Sequence, residues 1–171
     1  NKGGSTTYNW RKSTSSTALH TSTAALYFYG SSSISTKHSD YVVTPELQLT
    51  GNQQLRFWFK GSSTTASTAT YFYGSRVRVG YVDSASTFHP LGGYITKEGA
   101  TATVYEEYIV PMPTVSGLCR LAFVVDTNSY SFYIDDVVVE DIPSCPAVIA
   151  FVFDSATQNT ATLSWQYFPT I

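Results

Sequence analysis

Residues 130–141 read YSFYIDDVVVED. Aromatic and β-branched residues dominate the stretch, the side chains that suit a pleated, half-buried surface. It therefore reads as a strand. LCRLAFVVD (118–126) has the same make-up, and TNS (127–129) between them reads as a tight turn. The two are taken as the last strands of one antiparallel unit. Within the second strand, Asp135 and Asp136 pose a problem. Neighbours on a strand point to opposite faces, so Asp136 should share a face with Phe132, Ile134 and Val138, and Asp135 with Tyr133, Val137 and Val139. Both acids then meet apolar surroundings, and a desolvated carboxylate without a partner costs several kcal/mol, on the order of what an unpaired buried ion loses.

Outward from this pair the pattern repeats. No segment keeps a helical period for three turns. ALYFYG (25–30), YVVTPELQL (41–49), LRFWFK (55–60), SRVRVGYV (75–82) and TATVYEEYIV (101–110) read as strands between Gly, Ser, Pro and Asn clusters. Pro45 marks a strand edge or a break. In LRFWFK, Leu55, Phe57 and Phe59 turn inward, while Arg56, Trp58 and Lys60 face outward. GNQQ (51–54) is a turn, and GSSTTASTAT (61–70) is a polar loop. Strands at this spacing without helices predict an all-β fold, an antiparallel jelly-roll β-sandwich over residues 1–142. At IPSCP (142–146) the composition changes to a linker. Residues 143–171 then supply two more strands, which are too few to be stable alone.

Of the 171 residues, 43% are hydrophobic, 15% aromatic and 13% charged, with a formal net charge of −2. This is a globular composition with no basic stripe for nucleic acid and no apolar run that crosses a membrane. The chain opens on NKGGSTTYNW without a methionine, as a piece of a longer protein does. Cys119 and Cys145 fit either one disulfide, worth roughly 3–4 kcal/mol, or two free thiols. They do not have zinc spacing.

In chain order, YVVTPELQLTGNQQLRFWF (41–59), RVRVGYVDSASTFHPL (76–91), CRLAFVVD (119–126) and SFYIDD (131–136) resemble the strand signatures of bacterial cleaved-adhesin and MAM-like jelly-roll domains. PSCPAV (143–148) and SATQNTATLSW (155–165) resemble the first two strands of a fibronectin type III domain. Such adhesin-like domains usually open on a strand with an acidic residue and a Gly-Trp element. Only Trp10 matches here, and the strand before it is expected to be absent. The resemblance implies a non-catalytic binding or adhesion module, secreted or at the cell surface, in a multidomain bacterial protein. It implies a glycan or a host or matrix protein as partner, beside neighbouring domains of the same chain. It also implies a structural calcium, with Asp135 and Asp136 as ligands in the closing strand. Asp40 and Asp126 are further oxygen donors near strand ends. The competing reading pairs the acids with Arg76, Arg78 or Arg120, or leaves them at an exposed strand entrance.

For ligand contact, Trp58 flanked by Arg56 and Lys60 is the first candidate, because an exposed ring gains by being covered. Tyr71, Tyr73 and Tyr105 fit packing better. His20, His38 and His89 lie in Ser/Thr-rich loops and read as solvated. No GxSxG elbow is present, Cys119 sits in an apolar strand, and Glu106 and Glu107 fall on opposite strand faces, so no hydrolase machinery is legible. Two rivals stand beside the binding module: a structural spacer without a ligand and, more remotely, a hydrolase domain.

Overall fold

The computed structural model describes residues 9–30, 40–63, 74–112, 114–125, 129–143 and 148–167. Its strands are β1 (Asn9–Ser13), β2 (Ala25–Tyr29), β3 (Tyr41–Val43), β4 (Leu47–Thr50), β5 (Gln53–Gly61), β6 (Ser75–Val82), β7 (Phe88–Lys97), β8 (Glu106–Met112), β9 (Ser116–Val125), β10 (Phe132–Asp141), β11 (Val148–Ala156) and β12 (Ala161–Tyr167). One antiparallel sheet runs β1-β2-β10-β5-β8. The other runs β3-β9-β6-β7, with β4 also on β9. The order β2-β10-β5-β8 against β3/β4-β9-β6-β7 is jelly-roll connectivity, a double sheet built from Greek keys. The chain is thus an all-β antiparallel sandwich. No helix among the described residues is long and apolar enough to cross a membrane.

The alternation read from the sequence builds the core. Leu55, Phe57 and Phe59 of β5 are fully buried, as are Phe132 and Ile134 of β10. Leu121 and Phe123 of β9 and Val77 and Val79 of β6 meet them from the other sheet. Phe57 and Phe123 touch edge to face across the sandwich at 5.2 Å, and Phe132 packs against both Phe28 and Phe59 with centroids 5.3 Å away. Pro45 does break an edge. β3 pairs with the upper part of β9 and β4 with the lower part. Between them Thr44 keeps the ladder closed: its N–H donates to Leu121 O, and its Oγ1 accepts the Leu121 N–H at 3.0 Å.

The structure adds strands to those read from the sequence and shortens one. Trp10 itself lies in a strand: β1 pairs with β2, and Trp10 packs between Phe28 and Phe132, each ring 5.4 Å away. The polar sequence of β1, NWRKS, hid it. The strand expected to be absent before it falls outside the described residues. β7 spans FHPLGGYITK despite Pro90 and two glycines, because the pairing with β6 slips between Arg78 and Gly80 and Gly92–Gly93 fill the bulge. Residues 101–104 form turns rather than strand, so β8 begins only at Glu106. Cys119 is a buried free thiol. Cys145, the 127–128 turn and most of the 61–70 loop lie outside the described residues, as do His38, Tyr71, Tyr73 and Asp126. β11 and β12 pair with each other as a separate two-stranded sheet.

Candidate functional site

The two acids of β10 are reconciled by a bulge. Asp135 pairs with Trp58, but the next pair is Val138 with Arg56, so Asp136 and Val137 together face Phe57. Asp136 takes a left-handed conformation, φ 47°, which Asp tolerates better than most residues. The slip reverses the faces beyond it. Val139, not Val138, packs toward the core opposite Leu55, and Val138 is exposed. Asp136 therefore does not share the core face of Phe132 and Ile134. Both acids turn to the outer face of the first sheet.

There they meet the segment 14–24, which crosses that face. Asp135, only 3% exposed, accepts the His20 N–H at 2.7 Å on Oδ2. Its Oδ1 accepts the Ser22 hydroxyl at 2.5 Å and the Asp136 N–H at 2.8 Å. Oδ2 of Asp136 meets His20 Nδ1 at 2.7 Å and the Thr21 hydroxyl at 2.6 Å. Burial would raise the Asp136 carboxyl, but the Thr21 and His20 hydrogen bonds outweigh it and hold the group below its usual range. Neither acid pairs with Arg76, Arg78 or Arg120.

The expected ligand trio divides. The His20 ring stacks on Trp58 at 3.9 Å and meets Tyr105 edge-on at 5.2 Å, so Trp58 is half-buried beneath the segment. Lys60 faces outward from the sheet yet is buried under the same cover. Its Nζ donates to Thr17 O at 2.6 Å and sits 4.4 Å from the centre of the Tyr105 ring. Burial lowers the Lys60 ammonium, and the Asp135 charge works against that. Arg56 is spent on Glu140, through Nε and Nη2 at 3.0 Å each, and reaches Glu107 at 3.4 Å. Trp58, Arg56 and Lys60 thus share one face without forming an open patch.

Calcium needs about six to eight oxygens. Here both Asp135 oxygens already receive protein N–H and O–H groups. Two carbonyls of the covering segment already accept as well, Thr17 O from Lys60 and Ala18 O from the Tyr105 hydroxyl at 2.5 Å. No cluster of three or more His, Cys, Asp or Glu suited to a metal occurs among the described residues. As arranged, these residues do not fit a calcium ion. Asp40 is a buried carboxyl, raised by its burial, just before β3.

The outer face of the second sheet is different. The register lays Val43, Ala122, Gly80 and Pro90 in one cross-strand row. On one side runs Tyr41–Val124–Arg78–Tyr94, and on the other Arg120–Val82–Phe88. The middle of the central row is small and its flanks are large, so the sheet carries a groove. Its volume is about 340 Å³, and Tyr41, Val43, Val124, Ala122, Val82, Phe88, Ser86 and Arg120 line it. That volume is in the range of small-ligand sites. The Phe88 ring lies on Gly80 so closely that an added Cβ would meet it at 2.4 Å. Among the described residues, the exposed Arg120 guanidinium has no hydrogen-bond or ion-pair partner. A second depression continues past Arg120 to Glu46 and Asp83. His89 sits on Asp83 Oδ2 at 2.7 Å, and Oδ1 accepts the Ala85 and Thr87 N–H groups at 2.9 Å each. Sequence reading missed this groove because it exists only once Gly80 and Ala122 are paired.

No family model matches the sequence, and no curated protein matches it. Solved structures do resemble the fold. The K1 cleaved adhesin domain of Lys-gingipain from Porphyromonas gingivalis W83 superposes with a TM-score of 0.59 at 18% identity, covering 80% of this chain and 85% of that one. The K3 cleaved adhesin domain of the same protein gives 0.50 at 23% identity, over 71% and 77%. The carbohydrate-binding module TmCBM61, solved in complex with beta-1,4-galactotriose, gives 0.55 at 13% identity, over 82% and 86%. The chain has the sandwich fold found in adhesin and carbohydrate-binding modules.

Proposed function

We propose that this chain is a non-catalytic binding module that takes a glycan in the groove across the second sheet. The groove carries the reading. Its apolar floor and the rings of Tyr41 and Phe88 offer stacking surface to a sugar ring, and Arg120 offers unspent donors to its hydroxyls. The kinship of fold with TmCBM61 supports the ligand class. The likeness to cleaved adhesin domains supports an exported or surface-attached multidomain bacterial protein as the setting. The fibronectin-like hairpin β11–β12 would then belong to a neighbouring domain. The carboxylates Glu106 and Glu107 lie on opposite faces, the first ion-paired with Lys97 and the second with Arg56. They do not make the facing pair that glycoside hydrolysis needs.

The test is a glycan and matrix-protein array probed with the purified chain, followed by calorimetry on the best hit. Tyr41→Ala and Arg120→Ala should each weaken binding by about tenfold or more, as loss of a central aromatic or arginine contact does. Trp58→Ala should leave affinity unchanged. A blank array with folded protein would favour a spacer. A hit lost only in Trp58→Ala would move the site to the first sheet, and cleavage of the bound glycan would make the domain a hydrolase.

A further inference from the structure

Lys60 and Asp135 belong to one buried cluster. β10 pairs Tyr133 with Lys60 and Asp135 with Trp58, so Lys60 and Asp135 are diagonal neighbours on the same face. Lys60 is 8% exposed and Asp135 3%. Two charges withdrawn from water at this depth need each other or another counter-charge. The hydrogen-bond donors on Asp135 are all neutral: two backbone N–H groups and a hydroxyl. His20 Nδ1 is committed to Asp136 instead. Around the ammonium stand the Thr17 carbonyl at 2.6 Å and the faces of Tyr105 and Tyr133 at 4.4 and 5.3 Å. A carbonyl oxygen and two aromatic faces around an ammonium, on the sheet face that carries a buried carboxylate, make a cation site. Its cation here is covalently part of the chain.

We propose that the Lys60 ammonium is the resident cation of this site, neutralising Asp135 in place of a bound calcium, so that segment 14–24 is clamped to the first sheet without a metal. One side chain supplies a positive charge diagonally across the sheet face from Asp135 and a bond to the Thr17 carbonyl of the covering segment. The site is consequently insensitive to chelators, and ligand binding elsewhere on the domain inherits that insensitivity.

Thermal melts of the whole chain in excess EDTA and in millimolar CaCl2 test this, with titration calorimetry of CaCl2 alone. The two melting temperatures should coincide, and the calorimeter should record no binding. Lys60→Met should lower Tm by roughly 10 °C, the scale of an orphaned buried charge in a chain of this size. Adding Asp135→Asn should recover part of that loss, because the charge left behind is removed with it. A rise in wild-type Tm with calcium, or a stoichiometric calcium isotherm, overturns the proposal. So does strict additivity of the two substitutions. If Lys60→Met does not fold, the wild-type comparison still decides.

Discussion

Gly80→Ala tests the groove and the register beneath it together. A Cβ built on Gly80 falls 2.4 Å from the His89 carbonyl oxygen and 2.4 and 2.5 Å from two atoms of the Phe88 ring. The ring can swing away, but the carbonyl belongs to β7 and moves only if the strand moves. Inserting one methyl into such a contact costs about 1–3 kcal/mol. At roughly 2–4 °C per kcal/mol for a chain of this size, Tm should fall by about 2–12 °C. The matched control is Gly93→Ala in the facing strand β7, where the added Cβ meets nothing within 4 Å. There the effect should be neutral or a gain of about 0.4–1 kcal/mol from the less flexible unfolded chain. Urea melts followed by tryptophan fluorescence give the stabilities. Affinity for the array hit gives the second readout, since a displaced Phe88 loses its place on the groove wall. If Gly80→Ala is as stable as Gly93→Ala, the Phe88 ring does not lie on Gly80 and the derivation of the groove fails.

Thr44→Val removes the hydroxyl that receives the Leu121 N–H at the strand break. It should cost about 1–2 kcal/mol and speed Leu121 amide exchange, with Thr44→Ser restoring both. Acid should unfold the chain through Asp136 and Glu140, the latter held low by its Arg56 and Gln54 hydrogen bonds. Their folded pKa values lie below the ordinary 3.8 and 4.5. Their stability is thus complete above those values and lost as pH falls through the lower folded ones. A melt series should be flat down to about pH 5 and fall below it, with a shallower fall in Asp136→Asn. At the bulge, Asp136→Gly should be more stable than Asp136→Ala by about 1 kcal/mol, because only alanine keeps the left-handed strain. The opposite ranking, normal for a regular strand, would show that the bulge is absent.

The core was legible because the large apolar side chains of β5, of β9 and of β10 before its bulge recur at every second position, Leu55, Phe57 and Phe59, Leu121 and Phe123, Phe132 and Ile134, and that alternation is what a sequence displays. The elements that were missed break that rule for stated reasons. β1 is polar because it is an edge strand with one main anchor, Trp10. β7 was not read as a strand because Pro90 and Gly92–Gly93 interrupt its alternation where the register slips opposite Arg78–Gly80. The face of Asp136 was misread because one left-handed residue shifts every side chain after it, and an Asp gives no sign of this locally. Lys60 looked exposed because its cover arrives from more than forty residues away, through Thr17. Burial by a distant segment has no local pattern.

Where a ligand can bind depends on which polar groups still have bonds to give. On the first sheet, Arg56, Lys60, Asp135 and Asp136 already hold partners within the chain. A ligand reaching any of them must break a bond for each one it makes, and the exchange is nearly neutral. Trp58 shares this condition, since a sugar stacking on it would first have to displace His20, which stacks on Trp58 while bonded to Asp136. On the second sheet, a ligand oxygen at Arg120 displaces only water, and a ring laid in the groove covers the part-exposed apolar side chains of Val43, Val82 and Val124. Net binding energy is therefore available at the groove and largely absent on the opposite face. The two arginines should separate accordingly. Loss of Arg56 should appear in the unfolding curve, because Glu140 and Glu107 lose their cation. Loss of Arg120 should appear in the binding isotherm, with stability untouched.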